Sequence, residues 1–129
     1  MTNISEMPIL VVDDYKTMIR IIRNFLKQIG FENVDEASDG TEAIEKIRSN
    51  GYGLVISDWN MEPMTGLDLL KEVRADQTHA KTPFIMVTAE SKADNVIAAK
   101  QAGVDNYIVK PFSAAVLKSK IQTVLGEDL

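Results

Sequence analysis

Four short segments, Ile9-Leu10-Val11-Val12, Leu54-Val55-Ile56, Phe84-Ile85-Met86-Val87 and Tyr107-Ile108-Val109, carry an apolar or aromatic side chain at every position. A strand without polar alternation has to be covered on both faces, as interior strands of a parallel sheet are. That requirement shapes the rest of the chain, because helices must then lie above and below the sheet. Val34 to Ala37 is more polar and reads as an edge strand. Between these segments the apolar period changes to three and four residues. Met18, Ile21, Ile22, Phe25, Leu26 and Ile29 form a stripe that stops at Gly30, a helix packed on a sheet. Asp39 with Glu42, Thr65 with Asp68, and Ser91 with Asp94 have capping-box spacing. Helices are therefore predicted over Ala43-Ile44-Ile47, Leu67-Leu70-Val73 and Ala93-Val96-Ile97. Ser113 starts a fifth, which buries Val116, Leu117, Ile121 and Val124 before Gly126 ends it.

Five alternations of strand and helix imply an α/β fold, a doubly wound five-stranded parallel sheet with five helices and right-handed crossovers. The 129 residues show no linker, repeat or low-complexity tract, so residues 1–129 are read as one domain without a second output domain. Fourteen Lys plus Arg against nineteen Asp plus Glu leave a net charge of −5, which argues against affinity built on nucleic-acid phosphates. With no cysteine, disulfides, thiolate metal sites and redox thiols are excluded. No targeting leader or membrane-length apolar run is visible. A cytoplasmic monomer is the expectation.

Ligands of such sheets bind beyond the carboxyl ends of the strands. The residues at those ends are Asp13-Asp14, Asp58, Thr88 and Lys110. Three converging carboxylates repel one another by about 4 kcal/mol per pair at ~4 Å and an effective dielectric of 20, so a cation belongs among them. An all-oxygen donor set without His or Cys favours Mg²⁺. Asp58 then has the features of a nucleophile for phosphoryl transfer, with the Lys110 ammonium and the Thr88 hydroxyl able to spread charge over phosphoryl oxygens. Each residue alone is ordinary; four strand ends delivering an acid pair, an acid, a hydroxyl and an amine are not.

Further motifs accompany them: Thr17-Met18, Arg23-Asn24, Gly30-Phe31, Asp39-Gly40, Gly51-Tyr52-Gly53, Val55-Ile56-Ser57-Asp58-Trp59-Asn60-Met61, Val87-Thr88-Ala89-Glu90 and Val109-Lys110-Pro111-Phe112. With these the chain closely resembles, over nearly its whole length, the receiver domain of bacterial two-component response regulators, in particular the stand-alone chemotaxis receivers. The resemblance brings with it a flavodoxin-like fold with strand order 2-1-3-4-5, of which such receivers are a standard instance. It implies Asp58 as phosphoacceptor and Mg²⁺ held by the Asp14 and Asp58 side chains and the Asn60 backbone carbonyl, with Asp13 acting through water. It also implies a cis Lys110–Pro111 peptide, and Asn60 and Glu90 as residues tuning phosphoryl lifetime and the action of a phosphatase. Such a chain is not an enzyme in the turnover sense; it catalyses its own phosphotransfer and slow dephosphorylation. The implied partners are the histidine kinase CheA and the flagellar motor switch protein FliM, engaged through a Thr88–Tyr107 switch. Lys92 and Lys100 on the fourth helix and Lys118 and Lys120 on the fifth put basic groups near Tyr107, where an acidic peptide could dock.

One motif departs from the family pattern. Receivers usually read Met-Pro-x-Met after the phosphoacceptor loop, whereas this chain reads Met61-Glu62-Pro63-Met64, which moves the proline and adds an acid. Alternative readings are a phosphate sink that never engages a motor, a haloacid-dehalogenase-type phosphatase, and a binding-only domain. The phosphatase would need an acid two residues beyond its nucleophile, where Asn60 follows Asp58 and Tyr15 follows Asp13. The six methionines read as gap fillers. His79, in a polar stretch, is expected to be solvated, and Trp59 to report on events at Asp58.

Overall fold

A computed structural model describes residues 4–89 and 93–126. After a short 3-10 turn over Ile4–Glu6, strands and helices alternate: β1 (Ile9–Val12), α1 (Lys16–Ile29), β2 (Val34–Ala37), α2 (Gly40–Asn50), β3 (Leu54–Asp58), α3 (Gly66–Ala75), β4 (Phe84–Thr88), α4 (Ala93–Ala102), β5 (Asn106–Val109) and α5 (Ala114–Leu125). The strands form one parallel sheet in the order β2-β1-β3-β4-β5. The doubly wound arrangement expected from the apolar pattern is thus the arrangement found.

The unbroken strands serve two cores because successive side chains point to opposite faces. Leu10, Val12, Val55, Phe84 and Met86 meet Ala43, Ile44 and Ile47 of α2 and Leu69, Leu70 and Val73 of α3. Ile9, Val11, Leu54, Ile56, Ile85, Val87 and Ile108 meet Ile19, Ile22 and Leu26 of α1 and Leu117 and Ile121 of α5. Each fully buried aliphatic side chain contributes on the order of 1.5–3 kcal/mol of transfer free energy. Among the described residues, no helix is long and apolar enough to cross a membrane.

The helical faces differ in detail from the sequence reading. In α1 the buried residues are Ile19, Ile22 and Leu26, while Ile21 is 38% exposed. The stripe contacting the sheet is narrower than the full apolar set, so Ile21 falls outside it. In α3 Leu69 replaces Leu67 in the core, two residue steps or about 200° around the axis. Val116 of α5 and Ile97 of α4 are also exposed. The caps behave as their spacing requires: Asp39, Thr65 and Ser113 accept from the amides of Glu42, Asp68 and Val116 at 2.8, 3.1 and 3.2 Å. Ser91 lies outside the described residues.

At the edge of the sheet away from the strand carboxyl ends, one side chain ties two connections together. Arg74 of α3 donates to the carbonyls of Gly103 (2.9 Å), Ala80 (3.0 Å) and Thr82 (2.6 Å) and to Asp105 Oδ2 (3.0 Å). Asp105 Oδ2 also accepts from the Phe84 amide at 2.8 Å.

Candidate functional site

The strand ends gather the expected residues at one edge. Asp58 is the last residue of β3 and Thr88 the last of β4, while Asp13-Asp14 follow β1 and Lys110 follows β5. Backbone hydrogen bonds between neighbouring strands hold these ends in register: Asp13 N–H to Ala37 O (3.2 Å), Trp59 N–H to Val87 O (3.0 Å) and Lys110 N–H to Thr88 O (2.7 Å). Each of Asp13, Asp14 and Asp58 offers a carboxylate oxygen, and the three atoms lie within 4.8 Å of one another. Asp13, Asp58 and Thr88 are buried, whereas Asp14 faces solvent.

One cation is already part of this cluster. Lys110 Nζ donates to Asp58 Oδ1 at 2.9 Å and stands 3.7 Å from Asp13 Oδ2. Asp13 Oδ1 accepts from the Tyr15 amide at 2.9 Å, while its buried Oδ2 has no hydrogen-bond partner. Burial pushes the Asp13 carboxyl up to about 6; the Asp58 and Asp14 charges act in the same direction, and the Tyr15 amide and Lys110 oppose them. An orphaned buried carboxylate oxygen beside two further carboxylates, with only oxygen donors present, is a donor set suited to a hard divalent cation.

The remaining expected residues distribute as follows. Asn60 is exposed on the loop after β3, and Tyr107 is half-buried on β5. Lys100 is exposed on α4, while Lys118 and Lys120 are half-buried on α5 and leave its axis about 200° apart. Glu90 and Lys92 lie outside the described residues. The Lys110–Pro111 peptide is cis, as the resemblance implies, and so is Glu62–Pro63. His79 is not solvated as expected: its side chain is 16% exposed, with Nδ1 3.3 Å from Asp76 Oδ1. The turn folds back because Asp76 Oδ1 accepts from the amides of Thr78 and His79 at 3.0 and 3.1 Å.

Three features escaped the sequence reading. The first is Gly66, whose amide donates to Trp59 O at 2.9 Å. A Cβ there would collide with the carbonyl oxygen of Asp58 and come 2.8 Å from Met86 Sδ. The glycine after the Thr65 cap is the visible signal, but only the fold shows that it lies against the Asp58 backbone. The second is an edge-to-face contact between Trp59 and Tyr107, with centroids 6.4 Å apart and planes at 72°. The third is an open groove of about 390 Å³ lined by Asp14, Asn60, Met61, Glu62 and Thr65.

Comparison with known proteins decides the family. Residues 9–122 match the response regulator receiver domain. The chain belongs to that family. The receiver is 52% identical over 118 residues to the chemotaxis protein CheY of Pseudomonas aeruginosa, covering 92% of this chain and 95% of that one. Among solved structures it resembles the chemotaxis response regulator CheY4 of Vibrio cholerae, with TM-score 0.85, 32% identity, and coverage of 92% of this chain and 98% of that chain. It also resembles the receiver domain of the sensor histidine kinase PA1611 of Pseudomonas aeruginosa, with TM-score 0.85 and 26% identity over 95% of this chain and 99% of that one. That structure is described with a magnesium ion coordinated in its active-site cleft. The receiver is therefore of the CheY-like chemotaxis type and a component of two-component signalling.

Proposed function

We propose that this receiver is a phosphorylation-activated switch that accepts a phosphoryl group on Asp58 from a histidine kinase and, once modified, binds the flagellar motor switch. The observation that carries the reading is the convergence of Asp13, Asp14 and Asp58 within 4.8 Å, with Lys110 Nζ 2.9 Å from Asp58. Asp13, Asp14, Asp58 and the Asn60 carbonyl would hold Mg²⁺, which when bound supplies positive charge to phosphoryl oxygens. The magnesium described in the PA1611 receiver supports this assignment.

The protein's own groups account for the chemistry. An oxygen of the Asp58 carboxylate forms the bond to phosphorus while the phosphorus–nitrogen bond of a phosphohistidine breaks, and the electron pair leaves with the imidazole. No proton has to be removed from the nucleophile, because Asp58 reacts as a carboxylate. Lys110, already hydrogen-bonded to Asp58, neutralises a phosphoryl oxygen once transfer has occurred, and the Thr88 hydroxyl donates to another. The same groups serve slow hydrolysis, so the chain acts on itself and not as a turnover enzyme. Movement of Thr88 toward the phosphoryl group and a matching change at Tyr107 transmit the state to the face formed by α4, β5 and α5.

Incubation with labelled ATP and an autophosphorylating chemotaxis kinase tests the first half. A hydroxylamine-labile label that disappears in Asp58→Asn supports it; no label overturns it. Beryllofluoride-activated protein binding an N-terminal peptide of the motor switch protein more tightly than the inactive form tests the second half. Equal binding would leave a phosphate sink as the function.

A further inference from the structure

The loop between β3 and α3 departs from the family pattern at Glu62-Pro63, and the structure shows where the added acid lies. Glu62 is exposed and borders the 390 Å³ groove together with Asp14, Asn60, Met61 and Thr65. No lysine or arginine lines that groove. Other acids of this protein sit against cations: Glu36 with Arg23 at 2.7 Å, Glu72 with Arg48 at 3.2 Å and Asp105 with Arg74 at 3.0 Å. Glu62 has neither an ion pair nor a hydrogen bond among the described residues. Among the described residues, the ammonium at the site is that of Lys110, which is engaged with the carboxylate of Asp58. With Asp14 assigned to the metal, the groove carries the charge of Glu62 with no compensating cation among the described residues.

Any phosphodonor reaching Asp58 is an anion, and a small donor carries its whole charge to the site. Repulsion from an uncompensated surface carboxylate acts over about one Debye length, ~8 Å at physiological ionic strength and ~3 Å in 1 M salt. Its effect scales with donor charge, so a doubly charged acyl phosphate is penalised more than a singly charged phosphoramidate. We propose that Glu62 is a donor-selectivity residue, setting the receiver against small doubly charged acyl phosphates and in favour of less charged nitrogen-linked donors. The proposal rests on Asp58 being the phosphoacceptor. With acetyl phosphate, the Asp58 oxygen bonds to phosphorus, the phosphorus–oxygen bond breaks, and acetate leaves with the electron pair. With phosphoramidate, the phosphorus–nitrogen bond breaks and ammonia leaves.

The test compares initial phosphorylation rates with acetyl phosphate and phosphoramidate at saturating Mg²⁺, read by intact-protein mass, for wild type, Glu62→Gln and Glu62→Asp. Glu62→Gln should raise the second-order rate constant of phosphorylation by acetyl phosphate about two- to fivefold and that by phosphoramidate less. Glu62→Asp should behave as wild type, and the gain should vanish in 1 M NaCl. An equal gain with both donors, or one that survives high salt, overturns the role of Glu62. A wild-type protein that accepts from neither donor overturns the assignment of Asp58 instead.

Discussion

The ammonium of Lys110 stands 2.9 Å from the carboxylate of Asp58, and the same nitrogen is 3.7 Å from the buried Oδ2 of Asp13. One cation thus offsets two buried acids, and a long side chain from just beyond β5 is committed to the end of β3.

Lys110→Met is expected to remove this compensation. Breaking a buried pair leaves an unpaired charge and costs about 3 kcal/mol, which should appear in urea unfolding with EDTA present and shrink when Mg²⁺ is added. Phosphorylation of Asp58 should slow on the order of 10²-fold. Wild-type stability and labelling in this variant would refute the role given to Lys110.

Asp13 makes stability depend on pH in a defined direction. Its carboxyl is raised from 3.8 to about 6 in the folded protein, so the native state holds this proton more tightly than the unfolded chain does. The resulting contribution is fully present below pH ~4 and is lost as pH rises through about 6, on the order of 3 kcal/mol in total. In EDTA, the contribution of this group to stability should therefore fall between those values, and Asp13→Asn should remove the fall. Mg²⁺ should stabilise the protein more at pH 7.5 than at pH 5, because it competes with that proton. Thermal melts in the two buffers check both statements.

Gly66→Ala should distort the site from a position that bears no chemistry. The added methyl meets the carbonyl oxygen of Asp58 and the sulfur of Met86, so α3 or the end of β3 must shift. Overpacking of this kind costs about 1–3 kcal/mol. A lower melting temperature with weaker Mg²⁺ binding is expected; an unchanged Mg²⁺ affinity would show that the shift is absorbed by α3 alone.

Tyr107→Leu removes one ring of the Trp59 contact. Trp59 emission should change in the unphosphorylated protein, with a loss of about 1 kcal/mol in stability. An identical emission spectrum would mean that the ring contact does not govern the indole environment.

Much of this arrangement was legible in the chain because strands and caps are encoded locally. Val12 and Val109 end their strands where the apolar runs end, and Asp39, Thr65 and Ser113 cap helices from their own spacing. The convergence of Asp13, Asp14, Asp58, Thr88 and Lys110 followed from one topological rule applied to those ends. What stayed hidden depends on contacts distant in sequence. Ile21 and Leu67 are as apolar as their buried neighbours, and only the packing angle of the helix leaves them outside the core. Gly66 against Asp58, Trp59 against Tyr107, and Arg74 gathering the carbonyls of Ala80, Thr82 and Gly103 require the assembled fold. His79 was misread because polar neighbours resemble a solvated loop until Asp76 closes the turn.

Because Asp58 and Thr88 terminate strands instead of sitting on flexible connections, their aim is fixed by ladder parity. Deleting one residue anywhere within β3 or β4 would rotate every later side chain to the opposite face and send the reactive groups into the helical layers. Natural variation is thereby channelled into the loops at the rim, where Glu62 lies, while the strands admit substitution but not changes of length.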